Sequence, residues 1–572
     1  MHRLEGLRAC TPTVAPQLPQ ELKAITTPLI LPKWQTELQG HPDPTFTEFI
    51  TQGIQHGFRI GFNYSLQNLK PCRKNLRSAA EHPSIVDAYL HNELSKDRLI
   101  HIKDPSSLPW FQPSAFGVIP KHHKPGKWRL IVDLSAPEGF SINDFIDKEL
   151  CSISYISIDN VAEAILHLGQ RALLAKADVK EAFRIIPVAP EDRLLLAMLW
   201  KGELYLDKVL PFGLRSAPIM FTAVADAIEW IIRKRGVQNI FHYVDDFIIV
   251  GKPDTPECAS SLAITRETFS VLGVPDEPDK CEGPSTTLPI LGIEVDTVQM
   301  QLRLPADKLH CLSQLIREWR GRKSCKKREL LSLLGSLQHA AKVVKPGRAF
   351  VRRMIELSTV RKHMDAYIRI NQEFRSDLEW WYQMVASWNG VSILAPLRAE
   401  APDSLINSDA SGGWGCGAFH DNQWFQMQWD PHTTPLHITI KELLPIIIAT
   451  AIWGRNWAGK TVRALCDNMA VVHIIRTRQS REPNAMHLMR CLALIECSFQ
   501  FTLVSRHIPG KHNDLADALS RDNLPLFLAH YPQAQPTPTP IPALLYQALV
   551  SQKPNWISTT WANQFGNIIS RV

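Results

Sequence analysis

The segment HYVDDFIIVG (242–251) sets two adjacent carboxylates, Asp245 and Asp246, between apolar runs. A strand pair turning at Val244-Asp245-Asp246 places both at one exposed tip. Two such groups repel each other and share a proton unless a cation lies between them. A third acid, Asp178, closes the strand-like run LLAKADVKEAF. Three carboxylates at strand ends suit hard Mg²⁺ ions, which take oxygen ligands and leave room for substrate phosphates. Two such ions can activate a 3′-hydroxyl and stabilise a pyrophosphate leaving group in an in-line displacement. A bare Asp-Asp pair is more often a polar hairpin turn, so its surroundings decide the reading.

Four more acids each stand beside an apolar segment. They are Asp409 in LINSDASGGWGCGAF, Glu442 in IKELLPIII, Asp467 in RALCDNMAVVHII and Asp517 in HIPGKHNDLADALSR. Asp409 and Asp467 follow predicted strands, while Glu442 and Asp517 fall on predicted helices. A mixed sheet flanked by helices could gather all four at one end, again as a two-metal phosphodiester site. Each has a plainer explanation. Thr439 and Glu442 fit a capping box, although Pro445 would then lie inside the helix and break it. Asp467 could cap a helix starting at Asn468, and Asp517 could lie on a solvated face.

The elements that must position these acids divide the chain. Residues 1–95 read as a mostly helical N-terminal extension. Residues 96–300 alternate strand-like runs with helical windows, and 301–395 are helical, with a stop signal at Asn389-Gly390. Residues 400–525 return to alternating strands and helices. A Pro-rich linker of extended type follows over 526–542. The tail, 543–572, reads as too short to fold alone and as the start of a further region. Within the helical section, REWRGRKSCKKR (317–328) holds seven Lys/Arg against one Glu, a density suited to a phosphate backbone.

Composition bounds the rest. The chain has 572 residues, 45% hydrophobic and 21% charged, which excludes wholesale disorder and collagen-like repeats. Its 63 Lys+Arg against 56 Asp+Glu give a net charge of +7, permitting a polyanionic partner without demanding one. Eleven Cys with no CxxC pair read as thiols in a reducing compartment rather than a disulfide scaffold or a zinc finger. No signal peptide and no membrane-length apolar run stand out. The expectation is an intracellular protein of cytoplasm or nucleus, with no membrane partner.

The order of motifs resembles the reverse transcriptase family. KADVKEAFRIIPV is similar to its first palm motif, LPFGLRSAPIMF to its second, YVDD to its third and LGVPDEPDKC to its fourth. LPILGIEV is similar to the turn that grips the primer end, and PKHHKPGKWRLIVDLS to the fingers segment over the incoming nucleotide. The resemblance implies Asp178, Asp245 and Asp246 as metal ligands and Phe183 as the aromatic gate that excludes a ribose 2′-hydroxyl. It implies Lys121 and Arg129 as triphosphate holders, with His122, His123 and Lys124 as other registers for the first. Phe212 and Gly213 would lie against the nucleotide or base pair, with Ser216 capping the next helix. Lys280 would protonate the leaving pyrophosphate. LLGSLQHAA (333–341) resembles the thumb helix that follows the minor groove, with Gly335 for close approach and Gln338 or His339 touching sugars or base edges.

The later acids resemble the ribonuclease H family, which implies Asp409, Glu442, Asp467 and Asp517 as metal ligands. His507 then matches its mobile-loop histidine. DLSAPEGFSINDFI, DLEWWYQMVASWNG and the PTPTPIP tail look like DIRS/Ngaro-like retrotransposons of the tyrosine-recombinase group. No recombinase, integrase or protease set is seen, so the chain reads as a fragment, a truncated copy or an unusual gene model. The implied fold is a multidomain α/β chain: a right-hand polymerase with fingers, ferredoxin-like palm and helical thumb, then a ribonuclease H-like mixed sheet with flanking helices. The implied partners are RNA template, DNA primer, RNA–DNA hybrid and dNTPs, with Mg²⁺ at both sites and Mn²⁺ as a substitute; oligomeric state is open. The rival readings are a domesticated or inactive nucleic-acid-binding remnant and an RNA polymerase of viral type, against which Phe183 counts.

Overall fold

LLAKAD and DFIIVG are short, apolar on both faces and rich in β-formers, which suits central strands of a covered sheet. In the computed structural model they are exactly such neighbours in a four-stranded sheet. The structure describes residues 2–9, 18–63, 66–72, 74–120, 126, 128–385, 389–392, 404–458, 460–499, 501–550 and 568–569. It forms two units, Met1–Leu291 and Gly292–Val572.

In the first unit, β1 (Ala115–Pro120) and β2 (Trp128–Asp133) make an antiparallel hairpin. The sheet that follows contains β3 (Leu173–Asp178), β4 (Ile240–Tyr243), β5 (Asp246–Gly251) and β6 (Glu282–Ser285). Helix α1 (Ala217–Lys234) lies in sequence between β3 and β4, and α2 (Glu257–Leu272) between β5 and β6. The spatial order β4-β5-β3-β6 is antiparallel throughout. This βαββαβ connectivity is the ferredoxin-like arrangement. Packing α1 and α2 against the sheet buries Phe221, Ile228, Phe247 and Phe269 in one core.

The described residues of 1–95 belong to the first unit. Trp34, Ile50, Phe58, Ile60 and Phe62 lie in that same core. Trp34 Nε1 donates to the Leu272 carbonyl at 2.9 Å, at the end of α2. Ala79, Val86 and Leu90 pack instead with Phe116, Val118 and Leu130 of the β1–β2 hairpin. Ser216 stands at the N-cap of α1 but does not cap it; its Oγ donates to the Ile60 carbonyl at 2.7 Å.

The second unit begins with the hairpin of β7 (Ile293–Asp296) and β8 (Gln301–Arg303), so the boundary expected at 300 falls within it. Helices α3 (Ala306–Arg320), α4 (Lys327–Ala340) and α5 (Gln372–Met384) follow. Helix α5 stops before Asn389, whose side chain instead binds both backbone groups of Leu304. The mixed sheet comes next: β9 (Ser404–Ala410), β10 (Gly415–His420), β11 (Gln423–Gln428), β12 (Thr461–Cys466) and β13 (Thr502–His507). Its order is β11-β10-β9-β12-β13, antiparallel over the first three strands and parallel from β9 onward. Helices α6 (Ile438–Trp453), α7 (Met469–Thr477), α8 (Pro483–Phe499) and α9 (Asp514–Ser520) flank it.

The expectation that Pro445 would break its helix is overturned. Helix α6 runs through Pro445, and its N-cap is His437, so Thr439 heads no capping box. Residues 440–451 are buried, and that apolar packing outweighs the helical hydrogen bond a proline removes. The Pro-rich segment is likewise no free linker. Gln535 N–H donates to Asn422 O, Trp424 Nε1 to Gln535 O and Thr539 N–H to Trp424 O, at 2.7–2.8 Å. The tail also contributes α10 (Ala543–Val550), which buries Leu545, Ala548 and Leu549 and offers the Ala548 carbonyl to His487 at 3.0 Å. Among the described residues no helix is long and apolar enough to cross a membrane.

Candidate active sites

In the first unit the register does the assembling. Asp178 and Asp246 are directly opposed on β3 and β5, which sets their Cα atoms about 4.5–5.5 Å apart. Tyr243 and Asp246 close the β4–β5 hairpin, leaving Val244-Asp245 as a two-residue turn. Val244 has φ +54°, unusual for a β-branched residue, and this matches the positive first position of a tight hairpin turn. The Asp245 carbonyl accepts from Val179 N–H at 2.9 Å, tying the turn to the end of β3.

Burial raises the pKa of Asp246 to about 6, with Asp245 and Asp178 adding to the shift. Burial also raises Asp245, with Asp178 adding to it and Lys280 and Arg129 opposing. Lys280 Nζ reaches both oxygens of Asp178, at 2.9 and 3.1 Å. Burial disfavours the charge of Lys280, but the three aspartates outweigh it and raise the pKa. Lys280, Lys176 and Arg129 oppose the shifts of the aspartates without cancelling them.

Arg129 lies on β2 with its guanidinium 5.6 Å from the centre of the Phe212 ring. Phe212 is exposed and meets Phe183 edge to face at 5.5 Å; Phe183 meets Phe221 at 6.0 Å. Phe183 sits in a short 3₁₀ turn, Ala182–Ile185. The turn is anchored by Arg184, buried between Glu93 and Asp207 at 2.7 Å each. Gly213 has φ +97°, and a Cβ there would stand 2.8 Å from the Val132 carbonyl of β2. Lys121 and its alternatives His122, His123 and Lys124 lie outside the described residues.

Sequence reasoning passed over Asn143. It is buried, and its Nδ2 donates to Gly213 O and Ser135 Oγ while its Oδ1 accepts from Arg215 N–H, at 2.8–2.9 Å. It locks the Phe212-Gly213 loop. The only cue was a polar Asn inside GFSINDFI.

In the second unit Asp409, on β9, is buried and accepts from Ser520 Oγ at 2.6 Å, with Asn513 Nδ2 at 3.4 Å. Burial raises its pKa to about 6, and Asp467 and Asp517 add to that. Helix α9 comes close because Gly417 on β10 lacks a side chain; a Cβ there would meet Leu519 at 2.4 Å. Glu442 lies on α6, and its neighbour Lys441 holds the Gly-rich turn through the Gly412 carbonyl at 2.8 Å. Burial, with Asp409 and Asp467, pushes Glu442 up to about 9. Its Oε2 is buried without a hydrogen-bond partner.

Asp467 follows β12, and the cap of α7 is Asn468, which accepts from Ala470 and Val471 N–H. The Asp467 carboxylate is thus not used as that cap. Glu442, Cys466 and Asp467 bring their ligand atoms within 4.8 Å of one another. Asp517 lies on α9 and accepts from Arg521 at 2.6 Å. His507 is the last residue of β13 rather than a loop residue, and its Nε2 donates to the Asp467 carbonyl at 3.1 Å. Cys466, Asn513 and Ser520 were legible only as neighbours of the acids in CDN and KHNDLADALS.

The nucleic-acid expectations fare unevenly. Arg320, Arg322, Lys326 and Arg328 of the basic segment have acidic partners within 4 Å. On α4, Gly335 and Gln338 are exposed, and nothing lies within 4 Å of where a Gly335 Cβ would stand. His339 is instead turned to the Gly292 carbonyl at 3.1 Å.

Residues 119–295 match the family model described as reverse transcriptase (RNA-dependent DNA polymerase). Polyprotein P3 of Commelina yellow mottle virus is 22% identical over 388 residues, 64% of this chain and 19% of that protein. The putative enzymatic polyprotein of Cassava vein mosaic virus is 22% identical over 75% of this chain and 64% of its own length. The transposon Tf2-3 polyprotein of Schizosaccharomyces pombe is 20% identical over 70% of this chain and 28% of its own. The chain thus spans between about a fifth and two thirds of these relatives. Among solved structures, foamy viral protease-reverse transcriptase in complex with double-stranded DNA aligns with a TM-score of 0.47 and 14% identity, over 86% of this chain and 83% of that one. The same enzyme with an RNA/DNA hybrid aligns at 0.46. The chain contains a reverse transcriptase domain and has retroelement polyproteins among its homologues.

Proposed function

We propose that the chain is an RNA- and DNA-templated DNA polymerase joined to a ribonuclease H, belonging to a retrotransposon of the DIRS/Ngaro-like group and working inside the cell. The observation that carries the polymerase reading is the register pair Asp178–Asp246 with Asp245 in the adjoining turn, within the reverse transcriptase match. Asp178, Asp245 and Asp246 would hold Mg²⁺, or Mn²⁺ in its place. Burial raises Asp246, and the neighbouring Asp245 and Asp178 raise it further; a divalent cation among the three carboxylates would relieve both costs. When bound, the ions lower the pKa of a primer 3′-hydroxyl and neutralise the charge of the leaving pyrophosphate.

The chain's own residues supply the rest. Arg129 binds phosphate oxygens of a dNTP bidentately, with Lys121 or a neighbour beside it. Phe183, braced by Phe212 and Phe221, excludes a 2′-hydroxyl. Gly213 keeps the Phe212 loop flat against the nucleotide. Lys280 donates a proton to the departing pyrophosphate. Exposed Gln338 and Gly335 face the duplex.

Asp409, Glu442, Asp467 and Asp517 would hold the second Mg²⁺ pair, and the unpartnered Oε2 of Glu442 fits that use. His507 stands beside Asp467 to help the product leave. Cutting the RNA strand of an RNA–DNA hybrid frees new DNA for second-strand synthesis, which is why the two activities belong on one chain.

Primer extension on an RNA template, run beside cleavage of a labelled hybrid, tests this reading. Asp245→Asn with Asp246→Asn should abolish DNA synthesis and leave hybrid cleavage; Asp409→Asn should do the reverse. Loss of both activities in either folded variant would contradict two separate sites.

A further inference from the structure

The ribonuclease H reading uses oxygen donors only, yet a sulfur lies among them. Cys466 closes β12 immediately before Asp467 and is fully buried. Its Sγ, a Glu442 oxygen and an Asp467 oxygen all lie within 4.8 Å of one another. A tetrahedral Zn²⁺ with one S and two O donors at ordinary bond lengths sets those donors about 3.6 Å apart. Ligation would require these donors to close by about 1 Å. Two further observations point to a ligand here. Glu442 is 5% exposed, and its Oε2 lacks any hydrogen-bond partner. The Asn468 N–H, at the start of α7, lies 3.4 Å from Sγ and partly offsets the burial and the Glu442 charge that push the thiol up.

We propose that Cys466, Glu442 and Asp467 form a site for a thiophilic divalent cation, Zn²⁺ or Cd²⁺, within the nuclease acids. The inference rests on the ribonuclease H reading and adds to it a means of inhibition. Mg²⁺ prefers six oxygen ligands and makes no use of the thiol. A Zn²⁺ ion gains a sulfur ligand there, releases the thiol proton to solvent, and occupies the Glu442 and Asp467 oxygens that the hydrolytic pair needs. Low concentrations of Zn²⁺ should therefore inhibit hybrid cleavage against a large excess of Mg²⁺.

The test uses the full chain. CdCl₂ is titrated into wild type, Cys466→Ala, Cys466→Ser and Glu442→Gln while the ultraviolet thiolate-to-Cd²⁺ absorption is followed. The remaining cysteines contribute equally throughout, so the difference isolates Cys466. Wild type should show one tight equivalent that both Cys466 variants lack and that Glu442→Gln binds roughly 10–100-fold more weakly. In parallel, ZnCl₂ is titrated into hybrid cleavage by wild type and the two Cys466 variants, each normalised to its own rate in Mg²⁺. Wild type should be inhibited at concentrations roughly 10–100-fold lower than either Cys466 variant. Identical Cd²⁺ absorption, or identical Zn²⁺ inhibition, in wild type and the Cys466 variants overturns the proposal. A normal Cd²⁺ difference in a chain that cuts no hybrid in Mg²⁺ would support the cation site and remove the nuclease reading alone.

Discussion

Lys280 Nζ bridges the two carboxylate oxygens of Asp178, 2.9 and 3.1 Å away, across 102 positions of sequence. The ammonium thus shares a carboxylate that the polymerase reading gives to a metal ion, and its side chain is about half exposed. Lys280→Met should slow primer extension about 10²-fold or more, the usual worth of a proton donor. Its apparent requirement for Mg²⁺ should fall, because Asp178 no longer has a competing cation. Single-nucleotide extension rates across a Mg²⁺ series measure both; an unchanged rate would remove Lys280 from the mechanism.

Glu442 and Asp409 give the metal-free protein an unusual dependence on pH. Their folded-state pKa values, about 9 and about 6, lie above those of the unfolded chain. The folded state therefore holds protons that the unfolded state has lost, and stability falls as pH rises through that interval. For Asp409 the fall spans about pH 4–6, and for Glu442 about pH 4.5–9. Thermal melts in EDTA should show a falling Tm from pH 5 to 9. Mg²⁺ should restore it most at the alkaline end, and Glu442→Gln should flatten the slope. A Tm independent of pH in EDTA would mean the acids are better solvated than their burial indicates.

Phe183 touches Phe212 on one side and Phe221 on the other. Phe183→Val removes the ring and leaves a smaller apolar side chain. Discrimination against ribonucleotides should fall, by roughly 10–200-fold if steric exclusion works as in other tight pockets. Competing dNTP and rNTP incorporation by the purified variant checks this; unchanged selectivity would leave Phe183 as core only.

Gly213 combines positive φ with a neighbouring carbonyl on the strand that carries Arg129. Gly213→Ala should cost about 1–3 kcal/mol in backbone strain and displace β2. Both a lower Tm and a higher KM for dNTP are expected. A fall in Tm with KM untouched would separate the fold of this loop from nucleotide binding.

The palm was readable along the chain because its acids sit at the ends of apolar runs whose lengths already mark them as strands. YVDD alone names a turn, and the run before Asp178 names a second strand that ends in an acid. The alternation from 400 to 525 similarly marks a mixed sheet, and the order of its four acids marks which helices and strands must converge. Pro445 shows where local rules stop. Propensity breaks a helix there, but burial of the whole surrounding segment overrides it. Residues 1–95 and the Pro-rich tail read as appendages because no single stretch of either is apolar enough to predict its partner. Only the folded surfaces, the outer sides of the palm helices and of the β10–β11 hairpin, decide where Trp34 and Gln535 go.

Which residues are acidic, and in what order, is a property of the sequence alone. Which of them face one another is not, because it depends on strand register and on approaches such as α9 over Gly417. Asn143, Ser520 and Cys466 come beside the candidate site residues in that way. Each is an ordinary residue whose importance comes from a neighbour tens of positions distant, and only tertiary packing brings that neighbour within reach.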